Sequence, residues 1–373
     1  MLILAFLAQA AKLSAEGRTM PTKQSPIAEL IHQAAPHQPL DRRTFLRGLA
    51  LAGALAGCAA PAAEPQAQPQ SAIPTPQPRL RAAFAHNGLK TIWNQRGRDT
   101  ARMLGRLLGI DVVSYDGELS IDKQRRDLEE IAGQTWDFVV IHPLAVNAYI
   151  EPVRQIVAHG IPVIDIDTRL ADDLNDLGVA TLLEPDNIWM AEQVTQAIIE
   201  AAQSTSFEII HTQGLLTHTG AQGRAQGFRN VLARYPGIRV IDETPGDWDV
   251  DKVTRIWADL LARYPNVRAG FCHNDEMALA ALRAINQAGK QGQILIGGVD
   301  GLPEACAAVA RSDMVATVLN PTGRIHGGAL WVGYFLATQG QAANVPRFIR
   351  IDGGLIGKDT AAGYIWQGDH LLI

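Results

Sequence analysis

Short polar side chains close a series of apolar runs in this chain. His86 and Asn87 follow LRAAFA (80–85), His142 closes FVVI, and Asp165 and Asp167 close IPVI. Further along, Asn274 and Asp275 follow AGFCH, Asp300 follows ILIGGV, and Asn320 follows MVATVL. A carboxylate accepts hydrogen bonds and an amide both accepts and donates, so such ends can grip a small polar ligand. Each position alone reads at least as well as the cap of the helix after it. Their recurrence suggests two polar faces able to close on one molecule.

Motifs of several common chemistries are missing. No GxGxxG follows the first apolar run, so a dinucleotide site lacks its fingerprint. The stretch NGLKT has neither the first glycine nor the Gly-Lys-Thr order of a phosphate loop. There is no GxSxG nucleophile elbow. The histidines do not fall in HExxH or similar metal spacing, so no metal and no cofactor are expected. Asp165 and Asp167 sit at i and i+2 on one face of one strand, with no separate acid partner for glycosidase work. Binding without catalysis is the expectation.

The elements that position these groups can be read from hydrophobic period. Strand-like runs are LRAAFA, IDVVSY (110–115), FVVIHP (138–143) and IPVIDID (161–167), then FEIIHT (207–212), IRVIDE (238–243), AGFCH (269–273), ILIGGVD (294–300) and MVATVLN (314–320). Between them lie segments of helical spacing such as IDKQRRDLEEIAGQ and VTRIWADLLARY. Strands alternating with helices, the strands nearly continuously apolar, indicate parallel sheets covered on both faces. A long helical stretch near 187–203 separates the two series, so two α/β lobes are expected. In open parallel sheets ligands bind at the carboxyl ends of the strands, where the next helix presents its positive end.

A length of 373 residues also favours two lobes over one core. The net charge of -5 gives no electrostatic reason to expect nucleic acid. Near the start, DRRTFLRGLALAGALAGC places Arg42 and Arg43 before a short apolar run that ends at Cys58. Paired arginines, a short apolar run and small residues describe an export signal of the twin-arginine type. Leu55-Ala56-Gly57-Cys58 resembles a bacterial lipobox, in which Cys58 takes the lipid. The Pro/Ala/Gln-rich stretch from Ala59 to Pro78 cannot build a core and reads as a tether. Cys272 and Cys306 remain, and two buried free thiols are favoured over a disulfide.

NDEMALAAL, the strand ending in VDG, the segment RAQGF and the pair GDWD resemble the bacterial periplasmic sugar-binding proteins of the ribose-binding type. The resemblance covers roughly residues 80–360. It implies the type I periplasmic binding fold: two Rossmann-like lobes with parallel sheets, joined by a three-crossing hinge. The lobes are then 79–184 with 322–350 and 185–321 with 351–373, with hinges near Leu183–Asp186, Leu319–Thr322 and Arg350–Gly353. It further implies a monosaccharide or polyol held in the cleft and delivered to an ABC permease by a monomeric shuttle.

Carried over by residue, Trp93 and Trp248 match the aromatics that pack on the sugar ring, both in loop contexts. Asp167 and Asp300 match carboxylates that accept from hydroxyls, Arg224 a donor, and Asn274 and Asn320 amide positions. Asn94 and Thr168 occupy ligand positions where the family often has a second aromatic and an arginine. Those departures leave the identity of the sugar open. His273 is expected to pack or be solvated, and Asp275 and Glu276 to face the positive end of their own helix. A ligand sensor reporting to a chemoreceptor or kinase, or a non-sugar ligand, is the alternative. A sugar-responsive repressor shares such a body but needs a helix-turn-helix where this chain has an export signal.

Overall fold

A computed structural model of the chain describes residues 79–370. Arg42, Arg43, Cys58 and the 59–78 tether lie outside the described residues. Among the described residues, no helix is long and apolar enough to cross a membrane.

The first series of elements runs β1 (Leu80–His86), α1 (Ile92–Leu108), β2 (Ile110–Asp116), α2 (Ile121–Ala132), β3 (Phe138–Ile141), α3 (Ile150–Ala158), β4 (Val163–Ile166) and β5 (Thr181–Glu184). The second runs α4 (Asn187–Ala202), β6 (Ser206–Thr212), α5 (Thr219–Leu232), β7 (Gly237–Asp242), α6 (Val250–Arg263), β8 (Ala269–Cys272), α7 (Asp275–Gln287), β9 (Leu295–Gly297), α8 (Pro303–Ala310) and β10 (Thr317–Val318). The chain then adds α9 (Thr322–Gln339), β11 (Phe348–Arg350), β12 (Leu355–Ile356) and α10 (Lys358–His370).

Local sequence explains the pieces. The four residues of β3 are all fully buried, as a strand covered on both faces must be. Helix α6 buries Val253, Trp257, Leu260 and Leu261, a stripe at helical spacing, and turns its charged residues outward. Helix α1 starts at Thr91, whose hydroxyl accepts from Asn94 N, and stops at Gly109, whose φ of 72° ends the helix in the left-handed region.

Two parallel sheets result. The first has the order β11-β5-β4-β3-β1-β2 and the second β7-β6-β8-β9. Alternation along β1 sends Ala83 and Ala85 into one apolar cluster and Ala82 and Phe84 into another. The second sheet is likewise packed on two sides, around Trp257 and Ile285 on one and Phe228 and Phe271 on the other. Each fully buried side chain of that size contributes about 1.5–3 kcal/mol.

The α/β class and parallel sheets expected from the alternation are present. The chain passes between the sheets after β5, after β10 and between β11 and β12. Three strands are absent from the runs read in the sequence: β5, β11 and β12, of four, three and two residues. Tertiary pairing decides them: β11 pairs with β5, and β12 with β10. Cys272 and Cys306 are buried free thiols, and burial pushes both up to about 12.

Candidate functional site

The carboxyl ends of both sheets face one cavity lined by residues of both lobes. The first lobe supplies Trp93 and Asn94 from the opening turn of α1, His142 just past β3 and Asp167 just past β4. The second supplies His218 ahead of α5, Arg224 on α5, Trp248 ahead of α6, Asn274 at the start of α7 and Asp300 past β9. Asn320, on the crossing after β10, completes the ring.

Eight of the nine ligand residues expected from the sequence therefore line this cavity, and Thr168 does not. The Thr168 hydroxyl donates to Pro143 O at 2.7 Å, which ties the end of β4 to the end of β3. The next residue, Arg169, pairs with Glu184 at 2.7 Å. The expectation that Trp93 sits in a loop needs correction. Helix α1 begins one residue earlier, so Trp93 is helical, packs into the first lobe's core and donates Nε1 to Asn320 O at 2.9 Å.

Trp248 does stand in a loop, and its seat is made by strain and by space. Its φ is 59°, in the left-handed region that a bulky side chain rarely enters. A Cβ at Gly214 would meet its ring at 2.0 Å, so only glycine leaves room there. Asp167 and Asp300 also have positive φ, 63° and 135°. Such conformations cost about 1–3 kcal/mol each and persist where the fold overdetermines them.

Arg224 is buried, and its guanidinium is held from several sides. Nε donates to Asn187 Oδ1 at 2.9 Å and Nη1 donates to His273 O at 2.5 Å. Nη2 stands 3.8 Å from Asp300 Oδ1. Burial pushes the Asp300 carboxyl well up, against the opposing pull of Arg224. Burial acts the same way on Asp167, but the His142 contact, with His218 and Arg224, outweighs it and holds that carboxyl below its usual range. Asn274 caps α7 through Oδ1, which accepts from Met277 N at 3.0 Å. Asn320 donates Nδ2 to Asp167 Oδ1 at 3.3 Å, while its own Oδ1 is buried with no partner.

Two groups were not given a role by the sequence reading. His142 was visible as a strand end only. Its Nδ1 meets Asn94 Oδ1 at 3.1 Å, and its Nε2 meets Asp167 Oδ2 at 3.2 Å. His218 had no signal beyond its place before a helix, and its imidazole is driven down to about 3 by burial. Asn94 is spent on the protein itself, its Nδ2 donating to Asn87 Oδ1 and Thr91 Oγ1 at 2.9 Å each. His273 is packed, as expected; His211 lies 2.8 Å from its Nε2. Asp275 and Glu276 sit in the first turn of α7, as expected, and Asp275 is buried there, accepting from Thr317 Oγ1 and Leu302 N.

Comparison with known proteins places this geometry. Residues 83–342 match the periplasmic binding protein domain. The chain is 27% identical over 223 residues to a D-allose-binding periplasmic protein of Escherichia coli, covering 59% of this chain and 71% of that one. It is 32% identical over 210 residues to a ribose import binding protein of Bacillus subtilis, covering 56% and 66%. Among solved structures, the binding component of an arabinose ABC transporter from Shewanella, with α- and β-L-arabinofuranose bound, aligns with a TM-score of 0.72 at 25% identity, covering 78% of this chain and 97% of that one. The chain belongs to the periplasmic binding protein family, in its ribose type with two α/β lobes.

Proposed function

We propose that this protein captures a monosaccharide, a pentose, hexose or related polyol, between its lobes and delivers it to the permease of an ABC importer. One observation carries the reading. A cavity between two sheets gathers carboxylates, a guanidinium, amides and two indoles, and one amide oxygen, Asn320 Oδ1, lacks a partner inside the protein. A sugar hydroxyl gives one proton and takes others. Ionised Asp167 accepts, Arg224 donates, Asn274 offers its amide nitrogen and Asn320 its oxygen. Trp93 and Trp248 offer flat apolar area to the C–H face of a ring. Asn94 acts through His142 and Thr168 through the strand ends, because their polar groups are already engaged. The names of the relatives, for allose, ribose and arabinose, support this ligand class.

Binding needs no chemistry from the site, so the protein works as a monomeric carrier and not as an enzyme. Export on Arg42 and Arg43, a lipid on Cys58 and the 59–78 tether hold it in the cell envelope within reach of the permease. Replacing both arginines by lysine is expected to leave the precursor in the cytoplasm, as fractionation reports; normal export would point to the general secretion route.

The test of function is calorimetry on the full chain, unfolded and refolded to strip bound ligand. Pentoses, hexoses, deoxy sugars and polyols are titrated in turn. One-to-one binding of one member is expected. Silence across the panel from a folded protein would overturn the sugar reading and leave the fold untouched.

A further inference from the structure

Three side chains of the kind that ligate metals meet in the cleft. His142, Asp167 and His218 each bring one ring nitrogen or carboxylate oxygen within 4.8 Å of the other two, and all three are buried. Among the described residues this is the single such meeting. The closest pair, His142 Nε2 and Asp167 Oδ2, stands 3.2 Å apart. Two donors on one tetrahedral zinc ion, at about 2.0–2.2 Å each, lie roughly 3.3–3.5 Å from one another. The spacing already present is close to that of shared ligands.

The hydrogen bonds around His142 sharpen this. Asn94 has its amide nitrogen on Asn87 and Thr91, so it turns a carbonyl oxygen to His142 Nδ1. Nδ1 therefore carries the proton of the neutral ring, and Nε2 carries the lone pair. Asn87 also donates its Nδ2 to that Nε2, at 3.1 Å. Nε2 also lies 3.2 Å from Asp167 Oδ2, and an ion held between the two would take the place of the Asn87 bond on that lone pair. The Asn94 contact is also the kind of outer partner that fixes the tautomer and orientation of a ligating histidine.

His218 gives a second, independent observation. It is 6% exposed, and its Nδ1 is buried without any partner. Its ring meets that of His142 edge-on at 6.1 Å. A buried polar atom without a partner is costly, and a ligand to it removes the cost.

We propose that His142, Asp167 and His218 bind one divalent transition-metal ion of the zinc, nickel and copper class, with a further position open to the cavity. Two imidazoles and one carboxylate suit those ions, whereas magnesium and calcium prefer oxygen donors throughout. The neighbouring Arg224 guanidinium is turned to Asn187, to the carbonyl of His273 and, at 3.8 Å, to Asp300. Sequence spacing hides the site because its three ligands come from separate loops, after β3, after β4 and before α5. The metal site stands without the sugar reading. One corollary rests on that reading: ion and sugar both use Asp167, so each weakens binding of the other.

The test uses the full chain, freed of metal by chelation and dialysis. Zn²⁺ is titrated by calorimetry with no sugar present, and Co²⁺ by visible absorption. The wild type is expected to bind one equivalent and to show the intense ligand-field absorption of four- or five-coordinate cobalt. His218→Gln and Asp167→Asn, each checked for a cooperative thermal transition, are expected to weaken Zn²⁺ at least about tenfold. No binding by the wild type, or unchanged affinity in both folded variants, overturns the site. Where a variant fails to fold, the wild-type cobalt spectrum decides, and a weak octahedral spectrum overturns the proposal. Sugar titration of the metal-free protein is a separate measurement, so either reading can fail alone.

Discussion

At the scale of residues, the site is built from groups that are partly paired with one another. Asp300 shows what this means for binding. Its carboxylate lies opposite a buried Arg224 that keeps two other contacts, Asn187 and the carbonyl of His273. Asp300→Ala is therefore expected to leave the fold intact and to lose about 2–5 kcal/mol of sugar affinity, enough to remove binding from a calorimetric titration. Unchanged affinity in a folded variant would sink the site assignment. Behind the cavity, a chain of bonds shows how fully the interior is specified. Gly214 N donates to His273 Nδ1, so His273 Nε2 carries the proton and gives it to His211 Nε2, whose Nδ1 then donates to Glu243. Burial holds both imidazoles below their usual range, so this neutral chain persists at physiological pH. The sequence exposed Asp300 and Asn274 through their strand ends, but it could not show that Thr168 spends its hydroxyl on Pro143, because that contact joins two separate loops.

At the scale of elements, α7 does two jobs with successive residues. Asn274 caps it, and Glu276 in its first turn reaches out of the second lobe to accept from Ile92 N, at the start of α1, at 3.0 Å. Burial pushes the Glu276 carboxyl up to about 7 from 4.5, with Asp275 and Glu304 adding to the shift and the Ile92 bond opposing it. A carboxyl whose value is raised in the closed form favours that form while protonated. Its contribution is complete below about 4.5 and is lost as pH rises towards 7. Sugar affinity is therefore expected to fall over that window. Glu276→Gln keeps an acceptor for Ile92 and is expected to flatten the slope, read as the difference between the two proteins by calorimetry across pH. Parallel slopes would remove Glu276 from the linkage.

At the scale of the whole molecule, the two lobes are in contact around the cleft. Arg169 N donates to Thr219 Oγ1, Trp93 reaches Asn320 on a crossing, and Leu119 and Leu215 pack against apolar clusters of both lobes. Two crossings touch each other, since a Cβ at Gly353 would lie 1.9 Å from Leu319 O. A ligand that contacts both lobes only when they are together favours closure by that difference in affinity. Small-angle scattering is expected to give a larger radius of gyration for stripped protein than for sugar-loaded protein, and equal radii would contradict a hinge. The Lys90–Asp249 pair also bridges the lobes, at 2.8 Å, but its lysine is 63% exposed. Lys90→Ala is expected to change sugar affinity by less than about 1 kcal/mol, because solvent and salt screen such pairs.

The sequence by itself determined the α/β class, the two series of strands and most of the cavity wall. Period, caps and strand ends are local properties, so they are written in adjacent residues. Only the tertiary structure decided that Trp93 packs into a core, that β5, β11 and β12 are strands, and that His142 and His218 stand beside Asp167. Each of those facts depends on segments brought together from distant parts of the chain. Pairing of a two- or three-residue strand, and the meeting of three side chains from three loops, are settled by how the sheets stack and the lobes close, which no local pattern encodes.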